Sequence, residues 1–519
     1  MGREVVRTVA DGAADGAGPV PGERGCRTLC DDRGGCPSRP AGRAPVGPTT
    51  DTDPRSREVA AVPDRAGDPV WVGELAHHRG VHGSGHGAGD LAVPPRFGSA
   101  RLLVTDGGVP VGQAVVPLHG GRARAADLAR AAAAVAGREP PAEPAVSAEP
   151  LTVVVATRGR PESVRRCLAA VLAGDHPDVT VLVVDNDPPD ERTREVVRDC
   201  ADPRVRYVRE PRRGVSVGRN RGLAEARTAV VAFTDDDTEP DPRWASRIAG
   251  SFAEDPELVA LSGPVLAARL ETPEERAADV ALAWNKGFLP RRFRLDDPPA
   301  DSPVFPFSPG LFGIGANLAV RAEPVRALGG FDEALGPGRP TRGGEDIELL
   351  VRIVLDGGTL AYLPSAWVWH HHRPSSGELR DQMAGYALGL GAFLGKVALD
   401  PRARRLAVRR FPAALGRLRD IVRRESSEPK PVARARHEQH APAAVGGRGS
   451  SPEPFGAPLA DEDRPAPQDV VALPRGAGAR KLRGLVSGPA LYLQARRQVQ
   501  AEGGSTPPLT GPARPLRRR

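Results

Sequence analysis

The alternation of two hydrophobic periods between residues 151 and 235 most constrains how this sequence can fold. Continuous apolar runs rich in β-branched residues occupy 151–157, 179–186 and 229–234, and each predicts a strand; the stretch VRYVRE (205–210) predicts a further strand. Stretches with helical periodicity lie between them, the first of which is amphipathic. This β-α-β-α-β-α-β order predicts an α/β domain on a mostly parallel, Rossmann-like sheet with right-handed crossovers.

Polar residues follow several of these strands at the point where each strand ends. Thr157, Asp185 and the run Asp235–Asp237 all occupy such positions. Because ligands bind at the carboxyl ends of the strands in sheets of this kind, we expect these side chains to meet at one rim. The rim is the predicted active site.

Three consecutive aspartates need an explanation, because adjacent carboxylates repel one another unless a cation neutralises them. Carboxylate oxygens suit Mg²⁺ or Mn²⁺, and Mg²⁺ is usually held by one or two carboxylates together with substrate phosphates. A metal-bound diphosphate is one interpretation of Asp235–Asp237. The other is an acidic turn that caps a helix starting near Pro242.

Six stretches between about residues 150 and 375 resemble, in order and spacing, the family-2 glycosyltransferases of the GT-A fold. They are VVVATRGRPESVRRCLAAVL, VLVVDND, GVSVGRNRGL, FTDDDTEPDPRW, GIGANLAVRAEPVRALGGFDE and GGEDIELLVRIVLDGG. The resemblance implies metal-dependent transfer, with inversion, of a sugar from a nucleotide-diphosphate donor to a hydroxyl acceptor. Mg²⁺ or Mn²⁺ is the implied cofactor.

The resemblance assigns the nucleobase to the first two strand ends. Thr157, Arg158 and Asp185 match these positions. A carboxylate that accepts a hydrogen bond from a base N–H or a ribose hydroxyl is reasonable chemistry for Asp185. The alternative for this residue is an Asx turn with Asn186.

Two further stretches are implied to contact the donor. The loop RRGVSVGRN supplies Gly214, Arg219 and Asn220 near the nucleotide, and the segment FGIGANLAV supplies Gly315 and Asn317 under the donor sugar. The structural alternative for the loop is a strand-to-helix turn with a solvated Arg219. For the second segment it is a plain strand with a polar Asn317.

The Asp-x-Asp element of the family matches Asp235 and Asp237. The resemblance implies that Asp235 lies toward the ribose and also serves the metal, while Asp237 binds the metal and Asp236 could replace either. A histidine after the acidic motif joins the metal or diphosphate in some GT-A enzymes, and His370 or His372 fits this role here.

The stretch GGEDIEL resembles the acceptor-side motif of the family. Inverting transfer needs a base that takes the proton of the acceptor hydroxyl as its oxygen attacks the anomeric carbon. We predict Asp346 as that base, with Glu345 assisting or contacting the acceptor. The alternative for both residues is complementarity to the helix dipole in a first turn.

Charge narrows the range of partners. The formal charge is +7 and the sequence pI is near 9.5, yet no zinc-finger or RNP-type motif accompanies the dispersed arginines, so we predict no nucleic-acid partner. The predicted donor is a UDP-, GDP- or dTDP-sugar. A glycan, a lipid-linked molecule or a small molecule is the predicted acceptor, in cell-envelope or natural-product glycosylation.

Cysteine usage and hydropathy predict a cytoplasmic location. Five cysteines do not form a disulfide framework in a chain of 519 residues, and no apolar signal region follows Met1. The most apolar stretch, residues 383–399, is too short for a membrane span and contains Lys396.

Composition divides the chain into five predicted parts. They are a disordered segment (1–65), a small β-rich appendage (66–120), an Ala-rich helix with a Pro/Glu linker (121–150), the GT-A domain (151–400), and a basic helical and disordered tail (401–519).

The tail suggests a membrane contact. One basic amphipathic helix is predicted with Phe411, Leu415, Leu418 and Val422 on one face, and a second over residues 479–498 with an interruption at Gly488-Pro489. Peripheral attachment to an anionic inner leaflet is the hypothesis, and a helix packed on the catalytic domain is the alternative for the first helix.

Two other functions are compatible with an α/β fold of this kind: nucleotidyl transfer and non-catalytic binding. A nucleotidyltransferase should carry a Gly-rich phosphate loop followed by Lys near the first strand, which ATRGRPES does not provide. A non-catalytic nucleotide-sugar or glycan-binding paralogue would tolerate loss of Asp346, whereas an enzyme would not.

Overall fold

An eight-stranded mixed sheet forms the centre of the protein in the computed structural model. The structure describes residues 5–6, 68–77, 89–136, 140–308, 310–373, 375–410, 412 and 477–510.

An N-terminal unit precedes the central sheet. Its elements are β1 (Val5–Val6), β2 (Val70–His77), β3 (Leu91–Ala92), β4 (Ser99–Asp106), β5 (Val109–Pro117), β6 (Arg122–Ala123) and α1 (Ala125–Val135). The first half of the main domain contains β7 (Leu151–Thr157), α2 (Pro161–Leu172), β8 (Val179–Asn186), α3 (Arg192–Cys200), β9 (Val205–Glu210), α4 (Val215–Glu225), β10 (Val230–Asp235), β11 (Thr238–Pro240), α5 (Trp244–Glu254), β12 (Leu258–Ser262) and β13 (Val265–Ala267).

The second half continues through the C-terminal helices. It contains α6 (Pro273–Leu282), β14 (Arg291–Phe293), β15 (Asn317–Arg321), α7 (Ala322–Ala327), α8 (Glu345–Leu355), β16 (Thr359–Tyr362), β17 (Val368–His370), α9 (Ser376–Leu399), α10 (401–410) and α11 (Ala477–Ala501).

The central sheet has the order β14-β16-β12-β15-β10-β7-β8-β9. Strands β10, β7, β8 and β9 are parallel, as are β12 and β16, whereas β15 runs antiparallel to both of its neighbours. The predicted α/β class with a mostly parallel sheet is confirmed. Alternate residues of β7 enter separate cores on the two faces, Val154 on one and Val153 and Val155 on the other, which explains the unbroken apolar run.

The strand register of the central sheet brings the predicted rim residues close together. Thr157 lies beside Asp185, and Asp235 lies beside Ala156, so the three strand ends form one edge. Cys167, on α2, is fully buried in the core beneath this edge.

Helix α4 differs from the prediction. The sequence predicts a loop over residues 211–220, but the helix begins at Val215, so Arg219 and Asn220 are helical. Gly214 precedes it with φ 140°, a conformation open to glycine. Polar Ser216 and Arg219 are buried beside Val217 and Leu223, which removes the amphipathic pattern that would have revealed the helix.

The N-terminal unit packs against the main domain. Strands β4 and β5 form an antiparallel hairpin, and α1 contributes to the same core as the strands, with Leu128 and Ala132 buried there. Leu103 joins Trp367 and Trp369 in a cluster between the two units. Val5–Val6 adds a parallel strand to β2 within the segment predicted to be disordered, and most of that segment lies outside the described residues.

The predicted linker is held along the surface over its described part. Glu143 pairs with Arg243 and Arg247, and the Ala145 N–H donates to Glu254. These contacts fix the exit from the N-terminal unit against α5.

The tail also differs from the prediction. Helix α11 runs through Pro489 without the predicted interruption, and Tyr492, Ala495 and Val499 are buried against the domain. The face of α11 with these residues is therefore occupied by protein. The first predicted tail helix, with Phe411, lies outside the described residues, and the membrane contact stays a prediction.

Hydropathy agrees with the expectation for residues 383–399, which lie in α9. Within the described ranges, no helix combines the length and apolar character needed to cross a membrane.

Asn317 joins the central sheet to the small sheet β11-β17-β13. Its amide donates to the carbonyls of Pro264 (3.0 Å) and Ala366 (2.8 Å), and its oxygen accepts from the Trp244 indole N–H (2.9 Å). The residue is fully buried. It therefore has a structural role in place of the predicted contact with the donor sugar.

We predict that Asn317→Ala lowers the free energy of unfolding by about 2–5 kcal/mol, because each buried polar group left unpaired costs ~1–3 kcal/mol. Denaturant unfolding monitored by fluorescence measures the effect. Asn285→Ala is the control, since Asn285 is half-buried and accepts only a local bond from Gly287 N–H. If Asn317→Ala has normal stability but no longer binds a donor, the structural role is wrong and Asn317 contacts the donor sugar.

Candidate active site

A cavity of about 620 Å³ opens at the carboxyl ends of β7, β8 and β10. The turn before α8 and one side of α9 complete its wall. Ten of the predicted site residues line it: Thr157, Arg158, Arg219, Asp235, Asp236, Asp237, Gly315, Glu345, Asp346 and His370.

Three predicted residues stand behind the cavity wall. The Gly214 N–H donates to Asn186 Oδ1 (2.8 Å), and the residues on either side of Gly214 line the cavity. Asn220 is bonded to the Phe331 backbone and to Glu333, so its amide points away from the cavity. Asn317 is the structural tie described above.

His370, His371 and His372 take different directions. His370, the last residue of β17, lines the cavity, whereas His371 contacts Glu239 (2.5 Å) and His372 is buried beside Asp279. Trp284 packs against the rings of both His370 and His372. Of the two histidines predicted for the metal, only His370 faces the cavity.

Asp185 is fully buried at the end of β8, next to the cavity-lining Asn186. Its Oδ2 accepts from the Tyr207 hydroxyl (3.1 Å), and its Oδ1 has no hydrogen-bond partner among the described residues. Burial raises the pKa of Asp185 to about 6, although the bond from Tyr207 favours the ionised form. The observed bonds of Asp185 and Asn186 are tertiary, so they differ from the alternative Asx turn.

Each of the three rim aspartates is paired with an arginine, and Asp236 and Asp237 share the same one. Asp235 Oδ1 accepts from Arg219 (2.9 Å). Asp236 accepts from Arg160 (2.9 Å) and from the Thr157 hydroxyl (2.6 Å), and Asp237 accepts from the same arginine (2.8 Å). None of them caps α5: the backbone N–H of Arg243 is bonded to Asp241 instead.

The surroundings of Asp236 and Asp237 shift the pKa values of these two neighbouring carboxyl groups in opposite directions. Burial and the charge of Asp237 raise the pKa of Asp236 to about 6, against the opposing effects of Arg160 and Thr157. Burial also acts on Asp237, but the interactions with His370 and Arg160 outweigh it and hold the pKa of Asp237 below its usual range. Asp237 is therefore the firmly ionised member of the pair.

Asp237 and His370 are the best-placed metal ligands. Asp237 Oδ1 lies 3.2 Å from His370 Nε2, and His370 Nδ1 has no hydrogen-bond partner in the described structure. No group of three or more His, Cys, Asp or Glu side chains is arranged to hold a metal in the described part of the chain. The residues present thus fit an ion that takes its remaining ligands from substrate oxygens and water.

Glu345 and Asp346, the two carboxylates predicted for the acceptor side, begin α8. Asp346 Oδ2 accepts from the Gly315 N–H (3.0 Å), and its Oδ1 accepts from the Ile347 N–H (2.7 Å). Glu345 accepts from Arg219 (3.1 Å). Burial and the charge of Asp346 raise the pKa of Glu345 to about 7, against the opposing charge of Arg219.

Several cavity residues were not predicted from the sequence. Arg160 directly precedes Pro161, the first residue of α2, and follows the end of β7 by three residues. That position in the sequence indicates a location at the rim. Trp284 and Lys286 come from a segment without a regular period. Tyr386 belongs to α9, where nothing in the local pattern indicates which side faces the cavity.

Residues 152–314 match the family described as Glycosyl transferase family 2. The chain is 32% identical over 291 residues to the Pre-mycofactocin glycosyltransferase of Mycobacterium tuberculosis, a match that covers 55% of this chain and 54% of the relative. It is 29% identical over 229 residues to the succinoglycan biosynthesis protein ExoM of Rhizobium meliloti, covering 43% of this chain and 66% of the relative. The chain thus spans about half to two thirds of these relatives.

Two solved structures are also similar. The mannosyltransferase PcManGT from Pyrobaculum calidifontis, in complex with GDP-Man and Mn²⁺, is 20% identical with a TM-score of 0.37, covering 53% of this chain and 77% of that chain. S. aureus TarS 1-349 is 16% identical with a TM-score of 0.33, covering 46% and 65%.

The match from residue 152 to 314 contains the parallel strands, the three aspartates and Gly159–Arg160. The strands predicted between residues 151 and 235 lie almost entirely within this match. Residues 152–314 therefore match glycosyl transferase family 2, and they lie in the α/β domain with the mostly parallel sheet.

Proposed function

We propose that this protein transfers a sugar from a nucleotide-diphosphate-sugar to a hydroxyl group, with inversion at the anomeric carbon. The observation that supports this most is a single cavity lined by the strand-end aspartates Asp235–Asp237 on one side and by Glu345 and Asp346 on the other. A donor and an acceptor need such separate carboxylates: one set for the nucleotide and its metal, the other for the attacking hydroxyl.

The donor nucleotide lies at the ends of β7 and β8 in this proposal. Asp185 Oδ1, buried and without a partner among the described residues, would accept a hydrogen bond from a base N–H. Thr157 and Arg158 contact the nucleoside, and Asp235 accepts from the ribose.

Asp237 and His370 would hold a divalent ion, Mg²⁺ or Mn²⁺. When bound, such an ion acts as a Lewis acid that stabilises charge on the departing diphosphate. Arg160 donates to Asp236 and Asp237 and lines the same cavity, so its guanidinium is within the region where diphosphate oxygens would lie. Lys286 adds positive charge to the cavity wall.

Asp346 acts as the base. The hydroxyl proton of the acceptor passes to an Asp346 carboxylate oxygen while the acceptor oxygen bonds to the anomeric carbon. The bond from that carbon to the diphosphate oxygen breaks on the opposite face, which inverts the centre. The N–H groups of Gly315 and Ile347 fix the orientation of the Asp346 carboxylate, and Arg219 fixes Glu345 beside it.

The acceptor enters along α9. Gln382, Met383, Tyr386 and Leu390 line this side of the cavity and give it mixed polar and apolar character. The name of the Mycobacterium relative makes pre-mycofactocin the first acceptor to test. Glycan and lipid-linked acceptors are the next candidates.

We predict that one nucleotide-sugar among UDP-, GDP- and dTDP-sugars binds in the presence of Mn²⁺ and that EDTA abolishes this binding. Asp237→Asn keeps the side-chain shape but removes the charge, so metal-dependent affinity should be lost. Calorimetric titration measures it, with Asp199→Asn on exposed α3 as the control. Donor affinity that EDTA and Asp237→Asn both leave intact would reject the metal role.

We predict that Asp346→Asn lowers kcat about 10²–10⁴-fold, the usual contribution of a positioned general base, while donor affinity is unchanged. Asp356→Asn, at the other end of α8, is the matched control. Radiolabelled sugar transfer measures kcat. Full transfer by Asp346→Asn would favour a nucleotide-sugar or glycan-binding protein or a different base.

We predict that donor affinity falls as pH decreases through about 6. The ionised form of Asp185 is the one that accepts the base N–H, so its protonation should weaken binding by up to about tenfold per pH unit. Titrations from pH 5 to pH 8 measure this. Asp185→Asn keeps an acceptor oxygen and should flatten the dependence, although the response due to Asp236 remains; affinity that rises toward low pH would contradict the assignment.

A further inference from the structure

Helix α9 lies between the cavity and α11. Tyr386 and Leu390 line the cavity, while Ala392 packs in a cluster with Tyr492 and Val499 of α11. The position of α9 therefore sets the shape of the acceptor side of the cavity.

The backbones of α9 and α11 touch directly. A Cβ added at Gly391 would lie 2.7 Å from the Leu485 carbonyl oxygen, and one added at Gly488 would lie 2.4 Å from the Gly391 carbonyl carbon. Both contacts are with backbone atoms, which no side-chain rotation can relieve. The separation of the two helices is fixed to within the size of a methyl group.

Helix α9 touches the turn before α8 in the same way. A Cβ at Gly389 would lie 2.4 Å from the Gly343 carbonyl carbon, and one at Gly344 would lie 2.6 Å from the Gly389 carbonyl oxygen. The turn leads directly into Glu345 and Asp346. A continuous line of backbone contacts thus runs from α11 through α9 to the acceptor-side carboxylates.

A buried polar network follows the same route. The Lys396 amine, on α9, donates to Asp332 (2.6 Å) and to Glu348 (2.7 Å), one turn after Glu345 on α8. The Tyr492 hydroxyl of α11 donates to the same Asp332 oxygen (2.9 Å). All four side chains are almost completely buried, so a displacement of α11 would remove one hydrogen bond from the buried Asp332 carboxylate, which no water could replace.

The residues after α11 continue along the domain. Glu502 forms a two-bond pair with Arg339 (3.1 and 2.7 Å), beside the cavity-lining Gly338. The Glu333 N–H donates to the Ser505 carbonyl (2.9 Å), which ties residues 501–510 to the chain next to Asp332.

We propose that residues 477–510, far from the family match in sequence, are a positioning element of the active site: they hold α9 so that Asp346 and the α9 side of the cavity meet the acceptor. The proposal rests on the function proposed above. It assigns no donor contact to α11, because Thr157, Asp237 and His370 belong to other elements.

The test adds one methyl group to the α9–α11 interface. Gly488→Ala should raise hydrogen exchange at the backbone amides of residues 343–347 and lower kcat by about 10-fold or more, since a misplacement of ~1 Å can cost ~10²-fold. The affinity for UDP, GDP or dTDP with Mn²⁺ should stay at the wild-type value. Because alanine normally favours a helix over glycine, a loss cannot come from helix propensity.

Gly89→Ala is the matched control, since a Cβ there meets nothing within 4 Å. If Gly488→Ala does not fold, the same measurements are made on Tyr492→Phe. This substitution adds no atom and removes only the hydrogen bond to Asp332. Expected for Tyr492→Phe is a smaller fall in kcat with the same retention of nucleotide binding.

Unchanged exchange at residues 343–347 in Gly488→Ala would overturn the proposal, whatever the activity. Equal losses of kcat and of nucleotide affinity would also overturn it, because they would indicate general destabilisation. If exchange rises in the variant but the wild-type protein transfers no sugar, the positioning link is supported and the proposed glycosyl transfer is rejected.

Discussion

The neutralisation of five carboxylates around one cavity is the constraint on which the rest of the site depends. Asp235, Asp236, Asp237, Glu345 and Asp346 all line this space. Arg219, on the buried face of α4, neutralises part of this negative charge because it pairs with both Asp235 and Glu345. One guanidinium thereby joins the end of β10 to the start of α8, two elements that are distant in sequence.

Such buried pairs add little net stability, because desolvation of the charges offsets their attraction. What they provide is a fixed arrangement: an arginine with two carboxylate partners has few alternative positions that leave no charge unpaired. Arg160 does the same for Asp236 and Asp237 on the other side of the rim. The carboxylates of the rim and of α8 are thus held in fixed positions around the cavity.

The parallel strands β7, β8 and β10 were predictable because each is buried on both faces, and their order alone placed Thr157 and the aspartates at one rim. Arg219 and Asn220 were predicted in a loop, since the buried positions of α4 include polar Ser216 and Arg219 and so give no amphipathic period. Asn317 was predicted at the sugar because the sequence motif marks the segment without giving the direction of its side chains. Direction depends on partners such as Trp244, which only the folded chain brings near.

Helix α9 shows why the acceptor side is the least predictable part of the site. Its 24 residues include five glycines, and each glycine in a helix interior costs about 1 kcal/mol relative to alanine. Propensity therefore opposes this helix, and its stability has to come from tertiary packing. The same glycines permit the backbone contacts with Gly343 and with α11, so the residues that weaken the isolated helix are those that fix it in place. Residues 383–399 of this helix are the most apolar stretch of the sequence, and their small residues serve packing between helices and a turn of the same domain.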